Sequence, residues 1–224
     1  MIAHYPCPLP GGDTAREFAL AFDQRRAHRL LIIPALFEEA NRMRRLTVEV
    51  MRRLDAAGID CFLPDLPGCN ESLQPFEAQT LGSWRDAMAA AAGHFAATHV
   101  LGIRGGTLIQ PALPGWRYAP VKGATVLRQM LRARIVASRE AGLAETQDSL
   151  LEAGSIEGLD LVGYRLSPDL LAQLQSTEPA TETNASDIAQ DLIGGGGLWL
   201  RAEPGEDRAQ ADALAAIVAV GIKA

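Results

Sequence analysis

Few residues in this sequence carry the chemistry of a catalytic or metal-binding group. The four histidines, His4, His28, His94 and His99, all lie in the first half of the chain. Cys7, Cys61 and Cys69 are too few and too scattered for a disulfide framework. Neither a Cys-x-x-Cys nor a His-x-x-x-His spacing is present, so no metal site and no cofactor is expected. No apolar run is long enough to cross a bilayer, and the N-terminal MIAHYPCPLPGG lacks the charged start and apolar centre of a signal peptide. The expected location is the cytoplasm. A basic excess is missing too: the formal net charge of -6 argues against a nucleic-acid partner. Arg42, Arg44, Arg45, Arg52 and Arg53 do cluster, but at a spacing that makes them the wet face of an amphipathic helix.

What is present is enough apolar sequence, 48% of the chain, for one sizeable core, and residues 1–224 are expected to form a single α/β domain. Arg29 to Pro34 (RLLIIP) has the character of a buried parallel strand. Met43, Leu46, Val50, Met51 and Leu54 then recur at helical spacing over residues 41–57, and Gly58 closes that helix. A second strand over 59–64 runs into Asp65-Leu66-Pro67-Gly68-Cys69-Asn70, rich in turn-forming residues. Ser83 and Asp86 have capping-box spacing, which predicts a helix from Ser83 to about Ala97, and an apolar strand follows at once. Strand, helix, strand, helix, strand with short connections predicts a doubly wound, mostly parallel sheet. Ligands of such sheets bind at the carboxyl ends of the strands, which puts the segment after Pro34, the turn after Pro64 and the turn after Ile103 on one rim.

The remaining chain is less regular. Pro111, Pro114 and Pro120 mark an irregular, cap-like segment extending over about 111–195. Within it, 125–141 reads as an arginine-rich helix, 159–166 as one strand and the polar, acidic 175–191 as an exposed, mobile connection. Gly194 to Gly197 leads into an expected strand over 198–202, and a last helix covers about 207–220.

The third strand ends in Gly102-Ile103-Arg104-Gly105-Gly106, which has the form of a nucleophile elbow, the strand-turn-helix of α/β-hydrolases, with arginine at its tip in place of serine. Guanidinium is neither nucleophile nor base at physiological pH. The catalytic histidine of those enzymes follows the last strand, whereas every histidine here precedes the elbow. The chain reaches Ala224 where a further strand would begin, so the expectation is a sheet shortened at its C-terminal end, with no loop to carry that histidine. Glu206 and Asp207 stand where a triad acid would sit, but with no triad to join. At a helix start Arg104 would need an anion beside it. Glu38 or Glu39 would supply a bidentate carboxylate and Asn41 a further polar contact. Either this pair is a buried replacement for a catalytic centre, the favoured reading, or Arg104 offers its donors to a small anionic or polar ligand.

Several of these segments resemble a bacterial α/β-hydrolase family, exosortase A system-associated hydrolase 2. The resemblance is carried by Pro34-Ala35-Leu36-Phe37-Glu38-Glu39-Ala40-Asn41-Arg42-Met43-Arg44-Arg45, by Asp65-Leu66-Pro67-Gly68-Cys69 with Ser72, and by the elbow 102–106. Gly123, Leu127, Gln129, Leu131, Arg132 and Arg134, then Val162-Gly163-Tyr164-Arg165-Leu166-Ser167-Pro168, extend it over about Leu30 to Leu170. Asn70 departs from the pattern, where glycine is expected, and so does the short C-terminal end. The resemblance implies that arginine occupies the elbow throughout the family, and it implies a role beside exopolysaccharide synthesis and exosortase-dependent protein sorting.

The expected function is therefore an accessory or small-molecule-binding protein on a catalytically degenerate hydrolase scaffold. Its candidate site is Arg104, Glu38, Glu39, Asn41, Gly102, Gly105, Gly106, Asp65 and Cys69. The competing expectation is an atypical serine- or cysteine-dependent hydrolase or acyltransferase, recruiting Ser72, Ser83 or Cys69 with His94 or His99. A nucleotide-binding module ranks last, because the elbow lacks both the Gly-x-Gly-x-x-Gly spacing and a P-loop lysine. A homodimer is expected to cover the sheet edge left open by the short C-terminal end.

Overall fold

A computed structural model describes residues 1–9, 12–180 and 184–224. The chain opens with an antiparallel hairpin that the sequence expectations did not include, β1 (Ile2–Pro8) and β2 (Thr14–Phe22). Pro6 and Pro8 are tolerated because β1 is an edge strand, where missing N–H donors break no central ladder. β3 (Arg29–Ile33), α1 (Glu38–Ala56), β4 (Asp60–Pro64), α2 (Leu81–His94) and β5 (His99–Ile103) follow in the expected order. β6 (Gly115–Tyr118) forms within the proline-broken stretch, then α3 (Gly123–Glu140) and α4 (Gln147–Glu157). β7 (Leu159–Leu161) and β8 (Tyr164–Leu166) make a small separate hairpin, followed by α5 (Pro168–Ser176), β9 (Ala185–Ile188), α6 (Gln190–Ile193) and α7 (Arg208–Lys223).

Seven strands form the main sheet in the order β1-β2-β4-β3-β5-β6-β9, antiparallel across β1, β2 and β4 and parallel from β4 through β9. The central strands are apolar throughout because both faces are covered. Leu31 and Ile33 face the side packed by α2, while Leu30 and Ile32 face the side packed by α1 and α7. α3, α4, the β7–β8 hairpin and α5 are inserted between β6 and β9 and join the α2-side core through Leu127, Leu131, Leu150 and Leu174.

The structure departs from the sequence expectations at several joints. α1 begins at Glu38, three residues before the expected start, because Phe37 takes a positive φ of 56° and turns the chain directly into the helix. The capping box of α2 is Thr80 with Ser83, not Ser83 with Asp86. A serine hydroxyl at the third helical position accepts from the Thr80 amide and takes the place of the usual carboxylate or amide. The expected strand over 159–166 is two strands, folded back at Val162-Gly163. Within the connection expected to be loose and exposed, β9 pairs with β6; its backbone ladder forms despite polar side chains because only Ile188 is buried. Residues 181–183 of that connection lie outside the described residues. The strand expected over 198–202 is a single 3₁₀ turn, Leu198–Leu200, in which Leu198 is buried and Leu200 exposed. No helix among the described residues is long and apolar enough to cross a membrane.

Candidate functional site at the elbow rim

Because β3, β4 and β5 are parallel neighbours, their carboxyl ends bring residues 34–39, 65–70 and 104–108 to one rim. β5 turns sharply at Arg104, whose φ of 52° is left-handed backbone for a residue with a side chain. Such a conformation costs about 1–3 kcal/mol and persists where surrounding contacts enforce it. Here Gly106 sits so close to β3 that an added Cβ would lie 2.2 Å from the Pro34 carbonyl oxygen. Thr107 Oγ1 donates to the Arg104 carbonyl at 2.7 Å and ties the turn. At Gly102 an added Cβ would meet the Gln110 side chain. The elbow continues into a 3₁₀ turn, Arg104–Leu108, and not into the expected α-helix, so Arg104 does not face a full helix macrodipole.

All three nitrogens of the Arg104 guanidinium are hydrogen-bonded. Nε and Nη2 donate to Glu39 Oε2 and Oε1, each at 3.1 Å, and Nη1 donates to the Ala119 carbonyl at 3.1 Å. The Trp199 ring covers the guanidinium, with its centroid 4.1 Å from Cζ, in a cation–π arrangement. Arg104 and Glu39 are 7% and 6% exposed, so the pair is largely buried. Glu38 diverges from its neighbour: it accepts from Arg42 Nη2 at 2.7 Å, and Arg42 Nη1 donates to the Trp199 carbonyl at 3.1 Å. Arg42 thereby holds the 3₁₀ turn that places Trp199 over Arg104. No hydrogen bond joins Asn41 to Arg104 among the described residues; Asn41 lines a cavity of about 130 Å³ with Cys69, Phe37 and Tyr164.

Asp65 and Cys69 lie on the same rim but outside the arginine's reach. Asp65 Oδ1 accepts from Asn70 Nδ2 at 2.9 Å and from Arg44 Nη1 at 3.4 Å. Burial, then the carboxylates of Asp65 and Glu17, pushes the Cys69 thiol up to about 12, the opposite of the depression an attacking thiolate needs. Ser72 Oγ donates to Glu17 Oε1 and accepts from the Gly68 amide, and Ser83 closes the α2 cap. His99 begins β5, His28 precedes β3 and His94 ends α2, all at the opposite end of the strands from Arg104. His99 stacks on Trp116, and burial followed by His28 lowers its pKa. Glu206 pairs with Arg45, and Asp207 caps α7.

A larger cavity of about 340 Å³ opens beside the buried pair, between the start of α1, the α3 face and the Trp199 turn. Sequence reasoning missed Trp199, Ala119 and Val162 as parts of this region. Only a tryptophan beside a glycine run could have drawn attention to Trp199, and nothing in the spacing ties residue 199 to residue 104. Val162 is a β-branched residue at φ 52° in the two-residue β7–β8 turn and lines the cavity. Two left-handed positions in succession favour asparagine and glycine. Val162→Asn is therefore expected to stabilise the protein by up to about 1 kcal/mol, raising the unfolding temperature by about 2–4 °C. A calorimetric scan showing a lower midpoint would rule out strain as the dominant effect of Val162.

No protein-family model and no curated protein matches the sequence. Solved structures do match in fold. They include alpha/beta hydrolase domain-containing protein 10 from mouse, at 10% identity over 100% of this chain and 98% of the mouse chain, with a TM-score of 0.55. The esterase domain of a Rhodothermus marinus protein matches at 12% identity over 99% of this chain and 97% of its own, TM-score 0.54. The alpha/beta hydrolase GrgF from Penicillium sp. sh18 matches at 15% identity over 86% and 81%, TM-score 0.52. With the mostly parallel sheet and its flanking helices, these likenesses establish an α/β-hydrolase-like fold.

Proposed function

We propose that this chain is a non-catalytic member of the α/β-hydrolase-like proteins, acting as an accessory component that binds a small molecule at the elbow rim. The observation that carries the reading is the state of Arg104: the position that would present a nucleophile holds a cation bound to Glu39 on one edge, to Ala119 on another and covered by Trp199. A side chain so enclosed neither attacks a carbonyl nor presents donors to a ligand, so the buried pair is a structural replacement for a catalytic centre. The inserted residues 123–176 act as a cap over the rim, and the 340 Å³ cavity is the binding space. The resemblance of residues 34–45 to exosortase-associated hydrolases supports a role beside exopolysaccharide synthesis and protein sorting.

Purified protein treated with a fluorophosphonate probe and a panel of acyl esters is expected to show neither labelling nor turnover above buffer. Labelling or turnover that Ser72→Ala or Cys69→Ser abolishes would establish an atypical hydrolase instead.

A further inference from the structure

The chemistry of the larger cavity narrows what it can hold. Its walls are mostly apolar, from Leu36, Val126, Met130, Val162, Trp199 and Leu200, and its volume of about 340 Å³ suits a small organic molecule. Four charged side chains line it, Glu38, Glu39, Arg42 and Arg132. Glu39 is neutralised by Arg104 and Glu38 by Arg42. Arg132, exposed on α3, has no ion pair and no hydrogen bond among the described residues. The cavity thus has an apolar interior with one uncompensated positive charge at its mouth.

A lone exposed arginine is common, but two further observations point to a ligand here. Phe37 and Val162 line the cavity with left-handed backbone; Arg104 and Ala119, also left-handed and joined by a hydrogen bond, do not line it, but Arg104 is bound to Glu39 and stacked on Trp199, which do. Two of the seven such non-glycine residues in the described chain therefore line the cavity and two more stand behind its wall, and strain of this kind concentrates where a site must be held in shape. Leu200, in the cavity wall, is 73% exposed, an apolar surface left for an occupant to cover.

We propose that this cavity binds a small amphipathic monocarboxylate, its apolar chain against Trp199, Met130 and Leu200 and its carboxylate on Arg132; this rests on the non-catalytic, ligand-binding reading of the same rim. A single guanidinium matches a single negative charge. A doubly charged phosphate would leave its second charge without a partner at this one guanidinium. A cationic ligand would meet Arg132 unopposed, because both glutamates are already paired and one face of Trp199 is occupied by Arg104.

Decanoate below its micelle concentration and the uncharged decanol, titrated by calorimetry, separate head-group recognition from apolar burial. Decanoate is expected to bind about tenfold or more tightly than decanol. Arg132→Gln should remove that difference while leaving decanol unchanged, Arg132→Lys should keep part of it, and Ala133→Trp, which fills the mouth from an exposed position, should weaken both probes. Absence of saturable decanoate binding, equal affinities for the two probes, or an unaltered decanoate affinity in Arg132→Gln would each overturn the proposal. These outcomes are independent of ester turnover, which bears only on whether the rim is catalytic.

Discussion

Glu39→Ala is expected to lower stability by about 3–5 kcal/mol, because it leaves the Arg104 guanidinium buried with only the Ala119 carbonyl and the Trp199 ring as partners. For a chain of this size that corresponds to a fall of about 10 °C or more in the unfolding temperature. Arg104→Ala should be costly for the converse reason, a buried carboxylate stripped of both its donors. Replacing both partners together, Arg104→Met with Glu39→Leu, is expected to recover most of the loss, since two apolar groups carry no desolvation cost in the same space. Urea unfolding of the two single variants and the double variant measures the coupling directly. A Glu39→Ala variant within about 1 kcal/mol of wild type would show that water reaches the pair and that its enclosure is not what holds it.

The second large effect falls on one of two adjacent glycines. Gly106→Ala is expected to cost about 3 kcal/mol or more, because its new Cβ would be driven to 2.2 Å from the Pro34 carbonyl oxygen and 2.8 Å from that of Ile33. Both obstacles are main chain at the end of a central strand, so the elbow would have to move away from β3 and carry Arg104 off Glu39. Gly105→Ala meets only the Leu36 side chain, at 3.1 Å, which turns aside for about 1 kcal/mol or less. Equal stabilities for the two variants would mean that the elbow is not in fact pinned against β3.

The sheet's parallel centre was legible because β3, β4 and β5 are short apolar runs separated by one helix-length of periodic sequence each, a pattern few other architectures produce. The strands at its margins were not. β6 has a glycine at its start and prolines on both sides, and β9 buries a single residue, so neither has the apolar density that marks a strand. They form because a neighbouring strand offers a backbone ladder, a partner that cannot be read from their own composition. At the site, the arginine at the elbow and a glutamate beside it were both legible. Which of two consecutive glutamates would reach Arg104 depended on the turn at Phe37, whose positive φ starts α1 early and sends Glu38 toward Arg42 and Glu39 inward.

The sequence by itself determined the α/β-hydrolase-like core and the position of an arginine where such folds present a nucleophile, because strand and helix periods and turn chemistry act over a few neighbouring residues. Only the tertiary structure decided what that arginine faces. Trp199 lies 95 residues further along the chain and covers Arg104 through a turn held by Arg42. Enclosure, unlike periodicity, is made by segments that meet only once the chain has folded, and it is enclosure that makes Arg104 a partner of Glu39 and leaves a cavity beside the pair, lined by Trp199 and Arg132.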